Sequence, residues 1–344
     1  MKRTVRKITA KGLTDVGQKR DHNEDFFACE DGLQFYVVCD GMGGHASGEV
    51  ASQLAVKEVV SLVRDRRHAA NSGHVSEALV RDAVTYANER VFVEGMKSAQ
   101  TEGMGTTLVA LFPREDEMII AHVGDSRVYR LSARGDLDLL TRDHSLLNEK
   151  IDAGELSTQE EISTFAHKNV ISRALGIRDE VQVDTRRVPR RPGDIFLLCT
   201  DGLTDLVDDG DIEAVLDGNR DDLDEALECL VRMSNARGGK DNITVLAVRI
   251  DDEPSDDELA ATIQDPMSAA GSSGFEEDDH DTETSPVIPM VDSAAPTPKR
   301  RNSKGVIAPV DVQSGSVGFV STEPPAWAKR LGSPRVVVTS GLED

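Results

Sequence analysis

Four aspartates of this 344-residue chain stand at the ends of predicted strands, a placement that suits metal binding. Asp40 and Asp201 each end an apolar stretch and precede a glycine. Asp125 lies in a tight turn between two strands, and Asp241 directly precedes another strand. Carboxylates gathered at one sheet edge repel each other, so each costs free energy unless a cation compensates it. A single Asp-Gly pair is most often only a turn, whereas four strand-end acids together indicate a shared cation site.

The donor atoms of these acids select the kind of cation. Carboxylate oxygens without accompanying His or Cys favour the hard ions Mg²⁺ and Mn²⁺ over Zn²⁺. Gly41 adds another oxygen, because a residue without a Cβ can turn its backbone carbonyl toward a metal. The sequence therefore predicts an oxygen-lined site for Mn²⁺ or Mg²⁺.

A second charged group lies in the sequence RDHNED at 20–25, just before an aromatic strand start. Arg20 offers two parallel N–H donors that match the geometry of a phosphate. Glu24 and Asp25 could hold waters bound to the metal. The alternative is a run of charges that faces solvent and has no chemical role.

Apolar patterns predict the elements that must bring these residues together. Strands rich in β-branched and aromatic residues are predicted at 33–40, 105–112, 117–125, 126–132, 193–201 and 242–250. Helices are predicted at 47–66 and 75–97, where apolar residues recur with the helical period. Short polar links between the strands from 105 to 132 predict two successive hairpins, so the expected fold class is α+β with antiparallel sheets.

Two further segments separate these hairpins from the last strands. The segment from about Thr141 to Ile177 is predicted to be a helical excursion, with Ser157 and Glu160 forming a capping box. The arginine-rich stretch 186–191 is interpreted as a polar turn before the next strand, with docking of acidic or phosphorylated substrates as the alternative.

Composition limits the possible classes of function. The formal net charge of -23 disfavours binding to nucleic acid or to anionic membranes. Four cysteines without a CxxC pair predict reduced thiols in a cytoplasmic protein, and no apolar run is long enough to span a bilayer. Residues 251–283 are acidic and contain no Lys or Arg. We therefore predict a catalytic domain at 8–251 and an acidic, then Pro/Ser-rich disordered tail at 252–344.

The charged motifs occur in the order of a known protein family. RDHNED (20–25), DGMGGH (40–45), GTT (105–107), VGDSR (123–127), TRDHS (141–145), CTDGL (199–203) and GGKDNITV (238–245) resemble the metal-dependent Ser/Thr protein phosphatases of type 2C, in their bacterial form. The resemblance covers residues 8–250. It implies a four-layer αββα sandwich of two antiparallel sheets flanked by helices, with a binuclear Mn²⁺/Mg²⁺ centre at one end.

The resemblance also implies roles for the strand-end acids. Asp40 would bridge both metals, and Asp201 and Asp241 would complete the ligand set of one of them. The carbonyl of Gly41 would bind the other metal. Together with Asp201, Asp125 would hold a third ion that many bacterial members bind.

Other implied roles concern substrate and protons. Arg20 resembles the phosphate-binding arginine of the family, and 141–177 resembles its flap beside the site. Many eukaryotic relatives carry a histidine, proposed as general acid, where this chain has Met42. His45 could protonate the leaving oxygen or cap the helix that begins near residue 47. His144, at the flap entrance, has the same two interpretations.

The implied function is hydrolysis of phosphoserine and phosphothreonine by a hydroxide that the paired metals make available. The expected protein is a monomer that acts on phosphorylated proteins and opposes a bacterial Ser/Thr kinase of eukaryotic type. A phosphatase mechanism based on cysteine is excluded, because no cysteine is followed by an arginine six residues later. Two alternatives remain: a dinucleotide site at the G-x-G-x-x-A sequence of 41–46, and an inactive type 2C domain that serves as a binding module.

Overall fold

The computed structural model describes residues 7–43, 47–70, 75–114 and 116–251, together with the backbone of residues 336 and 337. The strands are β1 (Ile8–Asp15), β2 (Asp25–Glu30), β3 (Phe35–Met42), β4 (Gly105–Thr106), β5 (Leu108–Pro113), β6 (Glu117–Val123), β7 (Arg127–Leu131), β8 (Leu137–Leu139), β9 (Asp184–Pro189), β10 (Ile195–Cys199), β11 (Ile243–Ile250) and β12 (Val336–Val337). The helices are α1 (Ser47–Ala70), α2 (Glu77–Gly95), α3 (Leu146–Asp152), α4 (Gln159–Thr164), α5 (Asp201–Thr204), α6 (Asp209–Gly218) and α7 (Leu223–Ala236).

These strands form two antiparallel sheets. One sheet has the order β12-β1-β11-β10-β7-β8, and the other has the order β2-β3-β5-β6-β9 with β4 paired to β3. The strand β3, which leads toward α1, lies between two antiparallel neighbours. A dinucleotide site requires parallel strands joined by crossover helices. The dinucleotide alternative is therefore wrong.

The side chains of β3 contribute to two hydrophobic clusters, one on each face of the strand. Side chains along a strand alternate between its faces. Phe35, Val37 and Cys39 pack with residues of α1 and α2, whereas Tyr36 and Val38 pack against the opposite sheet. A strand covered on both faces requires an unbroken apolar run, and FYVVC is such a run. The β10 sequence IFLLC repeats this arrangement in the other sheet.

The helices cover the two outer faces of the paired sheets. On α1, Ala51, Ala55, Val59 and Val63 recur every fourth residue and are fully buried, as expected for one face of a helix. With α2 they cover the sheet that contains β3. The helices α5, α6 and α7 cover the sheet that contains β10. The order helix, sheet, sheet, helix confirms the predicted αββα sandwich and the α+β class.

The connection from β6 to β7 differs from the predicted hairpin. β6 pairs with β5 and β9 in one sheet, whereas β7 pairs with β10 and β8 in the other. The prediction of a second hairpin is wrong, because the length of a link does not determine which sheet the next strand joins. As a consequence, Asp125 lies where the chain crosses between the sheets.

The flap segment contains α3 and α4, so the predicted helical excursion is present. Its capping box, however, is shifted by one residue. Thr158 Oγ1 accepts a hydrogen bond from the Glu161 N–H, and Glu161 Oε2 accepts one from the Thr158 N–H. The Ser157 N–H also donates to Glu161 Oε2, at 3.0 Å. Both Ser-x-x-Glu and Thr-x-x-Glu match the motif here, so the sequence alone could not select between them.

The remaining predictions have different outcomes. The arginine-rich stretch is not only a turn, because Arg186 and Arg187 belong to β9 at the edge of a sheet. The predicted tail lies outside the described residues except for β12, which pairs with Leu13 and Thr14 of β1.

All four cysteines are free thiols. In the part of the chain that the structure describes, no helix combines the length and apolar character needed to cross a membrane.

Candidate metal centre

Five aspartates from separate parts of the chain meet at one end of the sandwich. Asp25 and Asp40 are paired across β2 and β3. Asp125 follows β6, Asp201 begins α5, and Asp241 precedes β11. Asp40 interacts electrostatically with the other four. The structure thus brings the four strand-end acids together, with Asp25 beside them.

Burial and neighbouring charges raise the pKa of Asp25, Asp40, Asp125 and Asp201. Removal from water, followed by the charges of Asp25 and Asp201, raises the pKa of Asp40 well above its usual range. Removal from water, followed by the charge of Asp205, raises the pKa of Asp201 to about 6. Asp40 and Asp201 are hydrogen-bonded to each other. A hydrogen bond between two carboxyls requires that one of them carry a proton.

Unpaired acceptor atoms in this cluster provide a test of whether a cation fits. Among the described residues, one buried carboxylate oxygen has no hydrogen-bond partner on each of Glu24, Asp25, Asp125 and Asp201. Buried polar atoms are almost always paired, and an ionised carboxylate can only accept. A cation or its bound water satisfies such a group of acceptors, and a set of oxygens alone fits Mn²⁺ or Mg²⁺.

Threonines from two strand ends fix Asp25. Thr200 Oγ1 donates to Asp25 Oδ2 at 2.9 Å, and Thr244 also hydrogen-bonds the Asp25 side chain. Although Thr200 is the N-cap residue of α5, its hydroxyl makes no capping bond. The hydroxyl holds a carboxylate instead, and Oδ1 of Asp25 is left as the unpartnered oxygen. Burial raises the pKa of Asp25 to about 7.

Arg20 lies at the rim of the centre and is held there by Asp241. Asp241 Oδ2 accepts a hydrogen bond from Arg20 Nη2 at 2.7 Å, and Arg20 Nη1 lies 3.8 Å from Glu24 Oε2. The Arg20 side chain remains 47% exposed. A guanidinium that is anchored by carboxylates and still accessible is suited to bind a phosphate that approaches the metals.

Glu24 and Gly41 pack against the start of α1. The Gly48 N–H bonds to the Glu24 carboxyl, and the Gly41 N–H donates to the Glu24 carbonyl oxygen at 3.1 Å. A Cβ at Gly41 would lie 2.1 Å from the Gly48 carbonyl oxygen and 2.5 Å from that of Glu24. Only glycine therefore lets the backbone beside Asp40 approach the helix this closely.

Two residues of the site were missed by the sequence analysis. Asp205 interacts electrostatically with Asp201 and Asp125, and its Oδ2 accepts a hydrogen bond from Asn169 of the flap at 3.0 Å. The available signal was its spacing of four residues from Asp201, which is about one helical turn. Asn242 is the second. Its Oδ1 accepts a hydrogen bond from the Glu24 N–H at 2.8 Å. No local sequence pattern predicts this contact.

The two histidines considered as proton donors have different outcomes. His45 lies outside the described residues. His144 is 7% exposed, and its Nδ1 accepts a hydrogen bond from the Gly124 N–H at 3.1 Å. Burial, followed by the effects of His122 and Arg173, lowers the pKa of His144 to about 4. An imidazole that is buried and has a pKa near 4 is unsuited to protonate a leaving group near pH 7.

A second group of ligand-type side chains lies beside His144. His122, His144 and Asp184 bring one ligand atom each to within 4.8 Å of one another. The Arg173 guanidinium is already there, since its Nη1 lies 3.2 Å from His144 Nε2 and 3.0 Å from Asp184 Oδ1. The Gly124 N–H donates to Nδ1 of His144, and the guanidinium of Arg173 lies at Nε2, the atom that a metal would need, so a cation already lies there. The carboxylate cluster is therefore the better metal centre.

An oxygen-only cation site with an arginine at its rim suits a metal-dependent enzyme that cleaves phosphate esters. The sequence profile described as Protein phosphatase 2C matches residues 17–244. The chain belongs to this family and is a metal-dependent protein serine/threonine phosphatase that uses Mn²⁺ or Mg²⁺. The alternative of an inactive binding module is set aside, because the acids of the centre are present and converge.

Named relatives agree with this assignment. The chain is 38% identical to "Serine/threonine phosphatase stp" of Listeria monocytogenes, over 69% of this chain and 94% of the relative. It is 37% identical to "Protein phosphatase PhpP" of Streptococcus pneumoniae, over 71% of this chain and 98% of the relative. These matches confirm the predicted family and enzyme class.

Solved structures show the same fold. The Mycobacterium tuberculosis serine/threonine phosphatase PstP/Ppp superposes with a TM-score of 0.64 at 32% identity, over 71% of this chain and 99% of that one. A PstP catalytic domain in complex with two manganese ions gives a TM-score of 0.62 at 33% identity, with the same coverage. These structures confirm the predicted sandwich and the predicted use of Mn²⁺ or Mg²⁺.

The raised carboxyl pKa values predict how stability of the metal-free protein depends on pH. Removal from water raises the pKa of Asp25 and of Asp125 to about 7. In the unfolded chain, the pKa of an aspartate is about 4. As pH rises from 4 to 7, the unfolded state releases these protons first, so the folded state loses stability over that window. We expect the Tm of the metal-free protein to fall by several degrees between pH 5 and pH 8.

Asp125→Asn provides the control for this pH dependence. It removes one of the raised carboxyls, so the fall in Tm should become smaller in thermal unfolding followed by circular dichroism. Saturating Mn²⁺ should also reduce the fall, because cations then replace the protons. A metal-free Tm that rises steadily from pH 5 to pH 8 would contradict the carboxyl crowding described above.

Proposed function

We propose that Asp40, Asp201 and Asp241 hold two divalent cations at which phosphoserine and phosphothreonine are hydrolysed. The observation that carries this proposal is the convergence of four other aspartates on Asp40. Among the described residues, three of these four, Asp25, Asp125 and Asp201, each also have a buried carboxylate oxygen without a hydrogen-bond partner. Asp40 is hydrogen-bonded to Asp201 and interacts electrostatically with the other four aspartates of the cluster, which suits a ligand shared by both cations. When bound, paired cations neutralise phosphate charge and lower the pKa of water.

The remaining residues of the centre orient substrate and water. Arg20 would bind the phosphate oxygens with its accessible guanidinium, while Asp241 keeps that guanidinium in place. Glu24 and Asp25 would accept hydrogen bonds from water at the centre through their unpartnered oxygens. The Gly41 carbonyl would supply one more metal ligand, and Asp125 with Asp201 would hold a third ion.

The proton for the leaving serine or threonine oxygen needs a separate donor. His144 is unsuited to this role, because it is buried with a lowered pKa. His45 stays the candidate, since the DGMGGH sequence places it five residues after Asp40. This assignment remains a prediction from the sequence.

The cellular role that fits this chemistry is reversal of protein phosphorylation. The relatives from Listeria and Streptococcus are named phosphatases, which supports phosphorylated proteins as substrates. We infer that these include a Ser/Thr kinase that the enzyme opposes, and that the enzyme acts as a monomer. Four free thiols suit the reducing cytoplasm.

Hydrolysis of a phosphothreonine peptide tests this function. The purified full chain, stripped of metal, should release phosphate only after Mn²⁺ or Mg²⁺ is added. Asp241→Asn should lower the rate by about 100-fold or more, because a metal contributes several kcal/mol of transition-state stabilisation. In cells, a strain that carries Asp241→Asn should accumulate phosphoserine and phosphothreonine in its proteome, including on a Ser/Thr kinase.

Asp224→Asn is the matched control, because Asp224 is an exposed aspartate of α7 that pairs with Lys11 Nζ at 2.7 Å. This variant should keep the wild-type rate. Full activity in the presence of a chelator, or an unchanged rate in Asp241→Asn, would contradict the proposed function.

A further inference from the structure

The hydroxyl of Thr107 links the backbone of Asp40 to Ser126, the residue after Asp125. The Asp40 N–H donates to Thr107 Oγ1 at 2.9 Å, and Thr107 Oγ1 shares a hydrogen bond with Ser126 Oγ at 2.7 Å. The Thr107 N–H in turn donates to the Asp40 carbonyl oxygen at 2.8 Å. Ser126 directly follows Asp125 in the chain. One buried hydroxyl therefore joins the backbone of Asp40 to the residue beside Asp125.

The methyl group of Thr107 packs against the turn that contains Asp125. Gly124 has a φ of +107°, and a Cβ added there would lie 2.6 Å from Thr107 Cγ2. The methyl group thus packs against the residue before Asp125, while the hydroxyl binds the residue after it. Thr107 and Ser126 are 0% and 1% exposed, so water does not replace either contact.

His144 holds the same turn from the flap. Its Nδ1 accepts a hydrogen bond from the Gly124 N–H at 3.1 Å, and its backbone N–H donates to the Gly124 carbonyl oxygen at 2.9 Å. Both polar groups of Gly124 are therefore paired within the protein. With the turn fixed at Gly124 and at Ser126, the position of Asp125 between them is set by the scaffold.

We propose that Thr107 is a positioning residue that fixes Asp125 relative to Asp40, so that binding of a cation by Asp125 and Asp201 depends on the Thr107 hydroxyl. The inference rests on the proposed metal role of Asp125. Asp125 sits where the chain crosses from one sheet to the other, so no β-ladder holds it in register with Asp40. The hydrogen bonds of Thr107 and Ser126 supply that link.

Titration of the metal-free full chain with Mn²⁺, followed by calorimetry and by electron paramagnetic resonance of free Mn²⁺, tests the proposal. Wild-type protein should bind one more ion than Asp125→Asn. Thr107→Val keeps the side-chain shape but removes the hydroxyl. It should lower the affinity for that additional ion by about tenfold or more, as is typical when a residue that hydrogen-bonds a metal ligand is lost. The ions that Asp125→Asn retains should bind to Thr107→Val as they do to wild type.

Three further variants separate positioning from general stability. Thr107→Ser keeps the hydroxyl and should bind the additional ion nearly as wild type does. Ser126→Ala should weaken the same ion, and its combination with Thr107→Val should weaken it no further, because both remove one link. Thr141→Val removes another buried hydroxyl, which accepts from the Val128 N–H at 3.1 Å, and should lower Tm without changing Mn²⁺ binding.

Two results with the Thr107 variants would overturn the proposal. One is a Thr107→Val protein that binds the additional ion with wild-type affinity. The other is a Thr107→Ser protein that loses the ion as fully as Thr107→Val does, since the methyl contact would then be responsible. If Asp125→Asn binds as many ions as wild type, the metal role of Asp125 fails and the inference fails with it. Should Thr107→Val not fold, Ser126→Ala tests the same link.

Discussion

Replacing Asp40 with asparagine should abolish hydrolysis and at the same time stabilise the metal-free protein. Asp40 interacts with Asp25, Asp201, Asp125 and Asp241, so a neutral amide at this position removes the repulsion that arises whenever the Asp40 carboxyl ionises. The same change removes the ligand proposed to bridge two cations. We expect kcat/KM for a phosphothreonine peptide to fall by about 1,000-fold or more, because metal ions contribute several kcal/mol to the transition state.

Thermal unfolding with and without Mn²⁺ completes this test. The metal-free Tm of Asp40→Asn should equal or exceed that of wild type, whereas the rise in Tm that Mn²⁺ gives to wild type should disappear. Asp138→Asn is the control, since Asp138 is an exposed partner of Arg130 on β8. An Asp40→Asn protein that keeps both the Mn²⁺ effect and its activity would refute the role of Asp40.

Arg20→Ala should raise KM for phosphopeptides by roughly tenfold to a hundredfold, since hydrogen bonds to charged groups contribute about 1.5–3 kcal/mol. Arg20 is half exposed and its Nη2 is anchored on Asp241 Oδ2, so its loss removes a preorganised phosphate donor. Arg20→Lys keeps the charge but not the paired N–H donors, and should give an intermediate KM. Steady-state kinetics at saturating Mn²⁺ measures all three proteins.

The affinity for Mn²⁺ separates phosphate binding from metal binding in these variants. Arg20→Ala removes the cation that competes for Asp241, so Mn²⁺ should bind at least as tightly as in wild type. Arg232→Ala, an exposed arginine paired with Glu225 and Glu228 on α7, should leave KM unchanged. An unchanged KM in Arg20→Ala would exclude Arg20 from phosphate binding.

The positions of the strand-end acids could be predicted because burial imposes a readable pattern. The segments FYVVC and IFLLC are apolar without interruption, since each strand is covered on both faces. The first polar residue after such a run stands where the strand leaves the core. Asp40 is the first polar residue after FYVVC, whereas Asp201 follows IFLLC after one threonine. The resemblance to a known family then supplied the expected roles of both acids.

Other parts of the molecule depend on contacts between residues that are distant in sequence. β1, which was not predicted as a strand, pairs from Ile8 opposite Ile250 to Asp15 opposite Ile243 of β11. The chain crosses between the sheets after β6 because β7 pairs with β10, which comes much later in the sequence. Asn242 binds the backbone of Glu24, and such side-chain bonds to a remote backbone leave no periodic signal in the sequence.

Crystals soaked in Mn²⁺, with anomalous differences measured at the manganese edge, test the position of the metal centre most directly. We expect two strong peaks among the carboxylates of Asp40, Asp201 and Asp241, and no peak beside His122, His144 and Asp184, where Arg173 already lies. Manganese at the histidines with none at the three aspartates would contradict the account.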